Sequence, residues 1–354
     1  MPTLELPPFS EMAAGFVASL VASFLCGYVV LWGLQRWQVV DLPNMRSSHE
    51  RPTPRGGGLG IMAVVLLGGA WDAWRSGGAM LWVVLAAAGM LGAVSFLDDR
   101  KPLPWTFRIC VQAAGAIVVA AMLVWPLAED RGVPLAVMAV AVTSFAIVGY
   151  ANAFNFMDGI NGIAASQAAV TGIGTIAVAV AAGVSLVDPA LVLAAIIAGA
   201  AAGFLPHNFP RARMFMGDVG AVSLGFGLAA ISVWIAADYG WWLLVPLGCL
   251  HANFVLDTTI TVIRRILRGE VFHQAHREHF YQRLVRAGWS HTRVTLTELV
   301  LQIVVAAVLT LAVSQGKSAA FGVAIAVVAV WAGFFAFCER EFRRFQSATM
   351  FNHG

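Results

Sequence analysis

Long apolar segments recur along almost the whole chain and constrain its fold more than any other feature. A helix needs about 20 mostly apolar residues to cross the hydrocarbon core of a bilayer, which is about 30 Å thick. About eleven windows of the sequence meet this condition. They lie near residues 12–34, 58–74, 79–97, 108–125, 134–151, 160–182, 188–205, 219–237, 241–263, 294–313 and 318–337. The sequence therefore predicts one all-α, polytopic membrane domain over residues 1–354.

The distribution of positive charge orients these spans. With the first loop in the cytoplasm, all of the 22 Lys and Arg residues are cytoplasmic except Arg75, Arg131 and Lys317. This arrangement follows the positive-inside rule and predicts a periplasmic N-terminus and a cytoplasmic C-terminus. The net charge of +3 then faces anionic membrane lipids, and we expect no nucleic-acid partner.

Residues capable of chemistry collect in the predicted cytoplasmic loops, whereas the opposite loops are short. The cytoplasmic loops lie near residues 35–57, 98–107, 152–162, 206–218 and 264–293. A transporter would instead place ionisable groups near the middle of its spans and use both faces. A membrane scaffold would need no ordered set of Asp and Asn residues. The pattern favours an enzyme that works at one membrane face.

Two adjacent carboxylates, Asp98 and Asp99, close the third predicted span. The negative end of the helix dipole disfavours carboxylates at this position. Adjacent aspartates at a membrane edge suit a metal site or a base with a perturbed pKa. A charged cap at the membrane boundary is the alternative.

The segment 152–162 carries Asn152, Asn155, Asp158 and Asn161 at intervals of three residues. This spacing keeps neighbouring side chains on adjoining faces of a helix or turn, and two glycines in the segment allow a ligand to approach closely. An ordinary turn rich in Asn and Gly is the alternative. The regular spacing favours a site.

The segment before the eighth predicted span combines Asn208, Arg211 and Arg213 with Asp218. Asp218 suits the N-cap of the following helix. A helix N-terminus preceded by arginines also suits a diphosphate, and the two roles are compatible.

The first cytoplasmic loop, residues 41–58, combines arginines, hydroxyl groups and glycines. Such groups suit a phosphate headgroup, although a positive-inside anchor with a flexible turn has the same composition. The candidate binding residues are Arg46, Ser48, His49, Thr53 and Arg55.

The last large loop, residues 264–293, contains several histidines among basic residues. They suit hydrogen bonds to a sugar or diphosphate better than zinc, because structural zinc takes four ligands and no cysteine lies in this loop. Asp257, about two turns before Arg264 and Arg265, is interpreted as half of a buried ion pair with them. The candidate substrate-binding residues are His276, His279, Tyr281 and Gln282.

Asp98, Asp99, Asp158 and Asp218, with the nearby asparagine amides, form a set of hard oxygen ligands. Mg²⁺ prefers such ligands when it also carries substrate phosphates. The residues therefore predict phosphoryl transfer, in which arginines stabilise the developing charge.

In their order along the chain, these motifs resemble the polyprenyl-phosphate N-acetylhexosamine-1-phosphate transferases. This family includes phospho-MurNAc-pentapeptide translocase and the enzymes that start O-antigen and teichoic acid synthesis. The resemblance covers roughly residues 41–293. It depends on the motifs at 46–49, 52–58, 98–99, 152–159 and 215–220.

The resemblance implies an all-helical fold of ten or eleven spans with a cytoplasmic cleft that holds Mg²⁺, or alternatively Mn²⁺. It implies that Asp218 ligates the metal with Asn155, that Asp98 activates the polyprenyl phosphate, and that Asp99, Asn155 and Asp158 are catalytic. Attack on the β-phosphate of a UDP-sugar would release UMP and form a polyprenyl diphospho-sugar. Arg108, a candidate substrate-binding residue, stands where several relatives have lysine.

The resemblance also bears on the donor. Relatives that use UDP-GlcNAc often carry His-x-His-His where this chain has His279-Phe280-Tyr281-Gln282. The variant resembles the O-antigen-initiating subgroup that takes FucNAc or QuiNAc, with UDP-GlcNAc as the alternative donor. The implied acceptor is undecaprenyl phosphate, in the inner membrane of a bacterium, at the start of O-antigen or related envelope glycan synthesis. A homodimer is expected by family analogy only.

Overall fold

In a computed structural model the chain is almost entirely helical. The structure describes residues 8–42, 51–271 and 276–351. A short antiparallel pair joins β1 (Val40–Asp41) to β2 (Thr53–Pro54). The helices are α1 (Pro8–Arg36), α2 (Gly58–Ser76), α3 (Ala79–Arg100), α4 (Trp105–Val124), α5 (Leu127–Arg131), α6 (Val133–Met157), α7 (Ile163–Ala181), α8 (Pro189–Asn208), α9 (Asp218–Tyr239), α10 (Leu244–Cys249), α11 (Ala252–Leu267), α12 (Phe280–Arg286), α13 (His291–Ser314) and α14 (Lys317–Phe351).

Every predicted span coincides with a continuous helix apart from the one at 241–263. Among the described residues, nine helices are long and apolar enough to cross a membrane, or ten when one bent pair is counted as a single span. The predicted span that is absent from this set is α2, whose last turns carry Asp72 and Arg75. These charges lower its mean hydropathy. The fold is that of an all-α, multi-pass membrane protein.

The predicted span at 241–263 is broken, and its two parts, Trp241–Cys249 and Ala252–Leu267, meet at 76°. A break frees backbone carbonyl groups that find no water in hydrocarbon. The carbonyl of Leu250 accepts hydrogen bonds from Gln302 Nε2 at 2.6 Å and from Gln167 Nε2 at 3.2 Å. Buried amides of α7 and α13 therefore stabilise the bend.

Replacing Gln302 with leucine is expected to lower the free energy of unfolding by about 1–3 kcal/mol, because the Leu250 carbonyl loses its closest donor. Thermal unfolding in detergent measures the effect. Ile303→Leu, at a neighbouring position that is 50% exposed on the surface of the bundle, is the control and should unfold like the wild type. Equal midpoints for the two variants would contradict the assignment.

Helix α9 lies at the centre of the bundle and is almost wholly buried. Helices α2, α3, α4, α6, α7 and α8 all contact it. Small residues allow these approaches, as membrane helix packing requires; a Cβ atom on Gly225 would lie 2.9 Å from the Cα atom of Ala151 on α6. The first residue of α9, Asp218, is therefore surrounded by the ends of several other helices.

Candidate active site

Residues 51–58, named here the first polar loop, form backbone hydrogen bonds with the residues just before α9. The N–H groups of Gly57 and Gly58 donate to the carbonyl oxygens of Phe215 and Met216, both at 2.8 Å. Glycine allows this close approach because it has no Cβ atom. These backbone hydrogen bonds place Arg55 next to the N-terminus of α9.

Arg55 is held between two carboxylates from different helices. Its Nε atom lies 2.9 Å from Oδ1 of Asp99, and its Nη2 atom lies 2.6 Å from Oδ1 of Asp218. Arg108 Nη1 lies 2.7 Å from Oδ2 of Asp98 and 3.5 Å from Oδ2 of Asp218. Arg55, Asp98, Asp99, Arg108 and Asp218 thus form one carboxylate–arginine cluster.

The carboxylate of Asp99, from α3, accepts hydrogen bonds at the N-terminus of α9, where Asp218 was predicted to be the N-cap. The N-cap residue is Gly217, and no side chain of its own caps the helix, so the prediction of Asp218 as N-cap was wrong. The carboxylate of Asp99 accepts hydrogen bonds from the N–H groups of Asp218 at 3.3 Å and Val219 at 3.4 Å. The positive end of α9 therefore stabilises a carboxylate that the end of its own helix disfavours.

Asp158 lies beside the cluster at the C-terminal end of α6, where its N–H group donates to the carbonyl of Asn155 at 3.2 Å. Burial raises the pKa of the Asp158 carboxyl to about 7; Asp218 and Asp99 also raise it, and Arg55 opposes the change. Within the described residues, neither the Asp158 carboxylate nor the Asn155 amide makes a side-chain hydrogen bond. Both are open to a ligand.

The cluster offers oxygen ligands for a cation without forming a closed cage. In the ranges that the structure describes, no three Asp, Glu, His or Cys side chains are grouped to hold a metal ion. Mg²⁺ usually takes only one or two protein carboxylates and shares its other positions with water and substrate phosphate. When ionised, the carboxylates of Asp98, Asp99 and Asp218 carry one more charge than the two guanidinium groups that they contact, which leaves an excess of negative charge. These oxygen donors suit the chemistry of Mg²⁺, and the predicted ligation by Asp218 and Asn155 stays a prediction.

Two predicted substrate-binding asparagines bond to the backbone of neighbouring loops. Asn208 Oδ1 accepts from the N–H of Gly162 at 2.6 Å, and its Nδ2 donates to the carbonyl of Met214 at 2.9 Å. Asn161 Nδ2 donates to the carbonyl of Pro210 at 3.0 Å. These bonds hold the segments 158–162 and 208–214 together at the cluster.

Other predicted binding residues are distributed around the cluster. Asn152 Nδ2 donates to Gln112 Oε1 on α4 at 2.5 Å. Thr53 is buried, and its hydroxyl donates to the carbonyl of Arg51 at 3.0 Å. The substrate role of these residues stays a prediction.

The two arginines before α9 are exposed. The guanidinium carbon of Arg213 lies 5.3 Å from the ring centroid of Tyr28, an arrangement that suits a cation–π contact. Arg211 is available to an anionic ligand at the surface. The predicted residues that lie outside the described part of the chain are Arg46, Ser48 and His49.

Asp257 does not pair with Arg264 or Arg265, so that prediction was wrong. Along a helix, seven residues rise about 10 Å, which is too far for a direct ion pair with Arg264. The carboxylate instead lies 2.9 Å from Nδ1 of His279. Arg264 bonds Glu339, and Arg265 bonds Glu270 and Glu278.

In the last large loop, residues 264–293, the side chains that were predicted to bind substrate lie at or beside the start of α12. Gln282 Oε1 accepts from the N–H of His279 at 3.3 Å, and Tyr281 is fully buried. His276 lies next to this turn, with its ring centroid 4.9 Å from that of His279. Burial and the neighbouring charges lower the pKa of His276 to about 4, so it is a neutral hydrogen-bonding group at pH 7.

Replacing Arg55 with lysine is expected to lower kcat about 10- to 100-fold, since a single ammonium group cannot reproduce the guanidinium contacts with both Asp99 and Asp218. Initial rates of product formation by purified protein measure the effect. Arg51→Lys, in the same loop and exposed, is the control. Equal rates for the two variants would show that the geometry of the charge at position 55 is unimportant.

Comparison with known proteins shows the family of this chain. The model of glycosyl transferase family 4 matches residues 81–236. The decaprenyl-phosphate N-acetylglucosaminephosphotransferase of Mycolicibacterium smegmatis is 32% identical over 325 residues, which cover 82% of this chain and 79% of the relative. The probable undecaprenyl-phosphate N-acetylglucosaminyl 1-phosphate transferase of Bacillus subtilis is 29% identical and covers 79% of each chain.

A phospho-N-acetylmuramoyl-pentapeptide-transferase of a Synechococcus species is 28% identical over 80% of this chain and 87% of its own. The matched region, 81–236, runs from α3 to α9 and contains every residue of the carboxylate–arginine cluster except Arg55, together with Asp158. The chain belongs to glycosyl transferase family 4 and is a multi-pass membrane enzyme of the phosphotransferase type.

Proposed function

We propose that this enzyme transfers an N-acetylated sugar 1-phosphate from a UDP-sugar to undecaprenyl phosphate and releases UMP. The observation that carries the proposal is the carboxylate–arginine cluster at one end of the helix bundle. At a membrane edge, such a cluster can contact the phosphate of a lipid and the diphosphate of a nucleotide-sugar at the same time. The names of the relatives, which include decaprenyl-phosphate and undecaprenyl-phosphate transferases, support this acceptor class.

The proposed reaction uses the two halves of the cluster differently. Asp98, oriented by Arg108 and by the N–H of Leu103 at 2.7 Å, accepts a proton from the acceptor phosphate. An oxygen of that phosphate attacks the β-phosphorus of the donor, the bond from the β-phosphorus to the bridging oxygen breaks, and UMP leaves with that oxygen. Arg55 and Arg108 stabilise the charge that develops on the phosphates.

Asp218 and Asn155 are the proposed Mg²⁺ ligands, and Mn²⁺ is the alternative cation. A bound divalent ion would supply neutralisation of the diphosphate charge. The open carboxylate of Asp158 lies close enough to contribute to the same field. Asp99 holds Arg55 and the start of α9 in place, so its catalytic part is to orient the groups that contact substrate.

The proposed topology places the cluster at the cytoplasmic face of a bacterial inner membrane. The N-terminus is then periplasmic and the C-terminus cytoplasmic, with α2 as a further span that brings the total to about eleven. Reporter fusions to the two termini and to the loop after α2 test this arrangement. Assembly as a homodimer is proposed from family analogy alone.

For the donor we propose UDP-FucNAc or UDP-QuiNAc, which would place the enzyme at the start of O-antigen or related envelope glycan synthesis. The variant sequence His279-Phe280-Tyr281-Gln282 supports this choice. The relatives named for N-acetylglucosamine favour UDP-GlcNAc as the second candidate. Because Tyr281 is fully buried, any influence it has on the donor passes through residues that it contacts.

The test is UMP release and formation of a lipid-linked product by purified protein with Mg²⁺ and undecaprenyl phosphate. UDP-FucNAc, UDP-QuiNAc and UDP-GlcNAc are supplied separately. Turnover with only a 6-deoxy sugar donor supports both the reaction and the proposed donor. Turnover with UDP-GlcNAc alone keeps the reaction and rejects the donor, and no turnover with any of the three rejects the reaction as stated. A parallel assay with EDTA and with added Mn²⁺ tests the cation.

A further inference from the structure

The carboxylate of Asp257 contacts the residues at the start of α12. Its side chain is fully buried. Oδ2 accepts from the N–H of Phe280 at 2.9 Å, and Oδ1 accepts from Thr261 Oγ1 at 3.2 Å. Oδ1 also lies 2.9 Å from Nδ1 of His279. One carboxylate of α11 thus fixes both the first backbone N–H group of α12 and the ring that precedes it.

Tyr281, which follows Phe280, contacts the end of α6. The hydroxyl of Tyr281 donates to the carbonyl of Phe156 at 3.1 Å, and its ring stacks with that of His279 at 5.8 Å between centroids. A Cβ atom on Gly159 would lie 2.0 Å from the Tyr281 hydroxyl oxygen. Tyr281 therefore packs directly on the turn 156–159, with no space for a side chain at position 159.

That turn carries Asp158, whose charge interacts with the charges of Arg55, Asp99 and Asp218. A path of contacts therefore joins the buried Asp257 through α12 to the turn that carries Asp158. None of the groups on this path between Asp257 and the turn is open to substrate, since His279, Phe280 and Tyr281 are all buried.

We propose that Asp257 and Tyr281 are positioning residues for Asp158. Asp257 sets the start of α12, and Tyr281 sets the turn that presents the Asp158 carboxylate to the reacting phosphates. The inference deepens the proposed function and rests on it. On this account the identity of residue 281 affects donor choice through the turn, because the tyrosine itself does not reach the sugar.

The decisive test is a double substitution. Gly159→Ala is expected to lower kcat about 10- to 100-fold, because the new methyl group displaces the turn from Tyr281. Tyr281→Phe removes the obstructing oxygen but also the bond to Phe156, and Cζ stays 3.0 Å from the new Cβ atom. The double variant should therefore recover part of the activity lost by Gly159→Ala, up to the reduced activity of Tyr281→Phe alone. Gly149→Ala is the matched control, since it lies on α6 and a Cβ atom there meets nothing within 4 Å. A double variant no better than Gly159→Ala would overturn the proposal.

Asp257→Asn and Asp257→Leu test the other end of the path. Asparagine keeps an oxygen acceptor for the Phe280 N–H, so it should retain more activity than leucine, and both should lower kcat with little change in the KM for the UDP-sugar. A purely structural role would instead lower the melting temperature and leave kcat per folded molecule unchanged. That result would contradict the proposal.

A second readout separates this proposal from the proposed function. Hydrogen exchange should increase in segments 156–162 and 279–286 together in Asp257→Leu, with or without any substrate. If the wild type releases no UMP but this coupled exchange is seen, the reaction is wrong and the contact path is right. Unchanged exchange in 156–162 would overturn the path itself.

Discussion

Replacing Asp218 with asparagine is expected to lower kcat by about 10²- to 10³-fold while the protein still folds and inserts. Asp218 is the carboxylate that contacts both arginines of the cluster, Arg55 at 2.6 Å and Arg108 at 3.5 Å. Asparagine preserves the volume of the side chain. It removes the negative charge that the proposed Mg²⁺ needs and releases both guanidinium groups from their shared partner. Initial rates of UMP release per folded molecule measure the change.

The same helix supplies a matched control for this experiment. Asp238 lies near the other end of α9, where Oδ2 accepts a hydrogen bond from Trp234 Nε1 at 2.8 Å. Asp238→Asn removes a carboxylate of the same type from the same helix and should leave turnover near the wild-type rate. Equal activity of the two variants would remove the carboxylate–arginine cluster from the mechanism. Loss in Asp218→Asn alone would support it.

Hydropathy predicted the helices well because a lipid-exposed helix has to satisfy a length and a composition that are both local. The bend before α11 was beyond such reasoning. The stretch 241–267 is apolar enough to be read as one span, and the break depends on Gln167 and Gln302, which belong to helices far away in sequence. Only the assembled bundle brings those two amides to the Leu250 carbonyl.

The motifs predicted which segments meet at the cluster, but they did not predict how the adjacent aspartates divide their contacts. Successive residues of a helix point about 100° apart. Asp98 therefore turns to Arg108, while Asp99 turns to Arg55 and the start of α9. The partner of each depends on the packing of α3, α4 and α9, which sequence spacing does not contain.

Polar residues near the site were harder to assign, since an amide suits a backbone group as well as a substrate. The sequence did contain a pattern from which the contacts of Asp257 could have been predicted. Asn253, Asp257, Thr261 and Arg265 recur every four residues and form a buried polar stripe on α11. A polar stripe on an otherwise apolar span indicates that another polar element packs there. The sequence does not say that this element is the start of α12.

Replacing Gly58 with alanine is expected to disrupt the cluster from its other side. A Cβ atom at this position would lie 2.3 Å from the backbone nitrogen of Gly220 and 3.0 Å from the carbonyl oxygen of Met216. These are backbone atoms, so the loop that carries Arg55 has to move away from α9. We expect a loss of about 1–3 kcal/mol in the free energy of unfolding from overpacking. We also expect kcat to fall about 10²-fold, because Arg55 leaves Asp218.

Gly60→Ala isolates the cause, since it introduces the same methyl group into the same helix two residues later. A Cβ atom on Gly60 would lie 3.5 Å from that of Cys26, an ordinary van der Waals distance. Its melting temperature and kcat should therefore stay near those of the wild type. If Gly58→Ala behaves like Gly60→Ala, the backbones of Gly58 and Gly220 are not in the close contact described here. A fall in kcat for Gly58→Ala, measured per folded molecule, ties that packing to the position of Arg55 and so to the chemistry of the cluster.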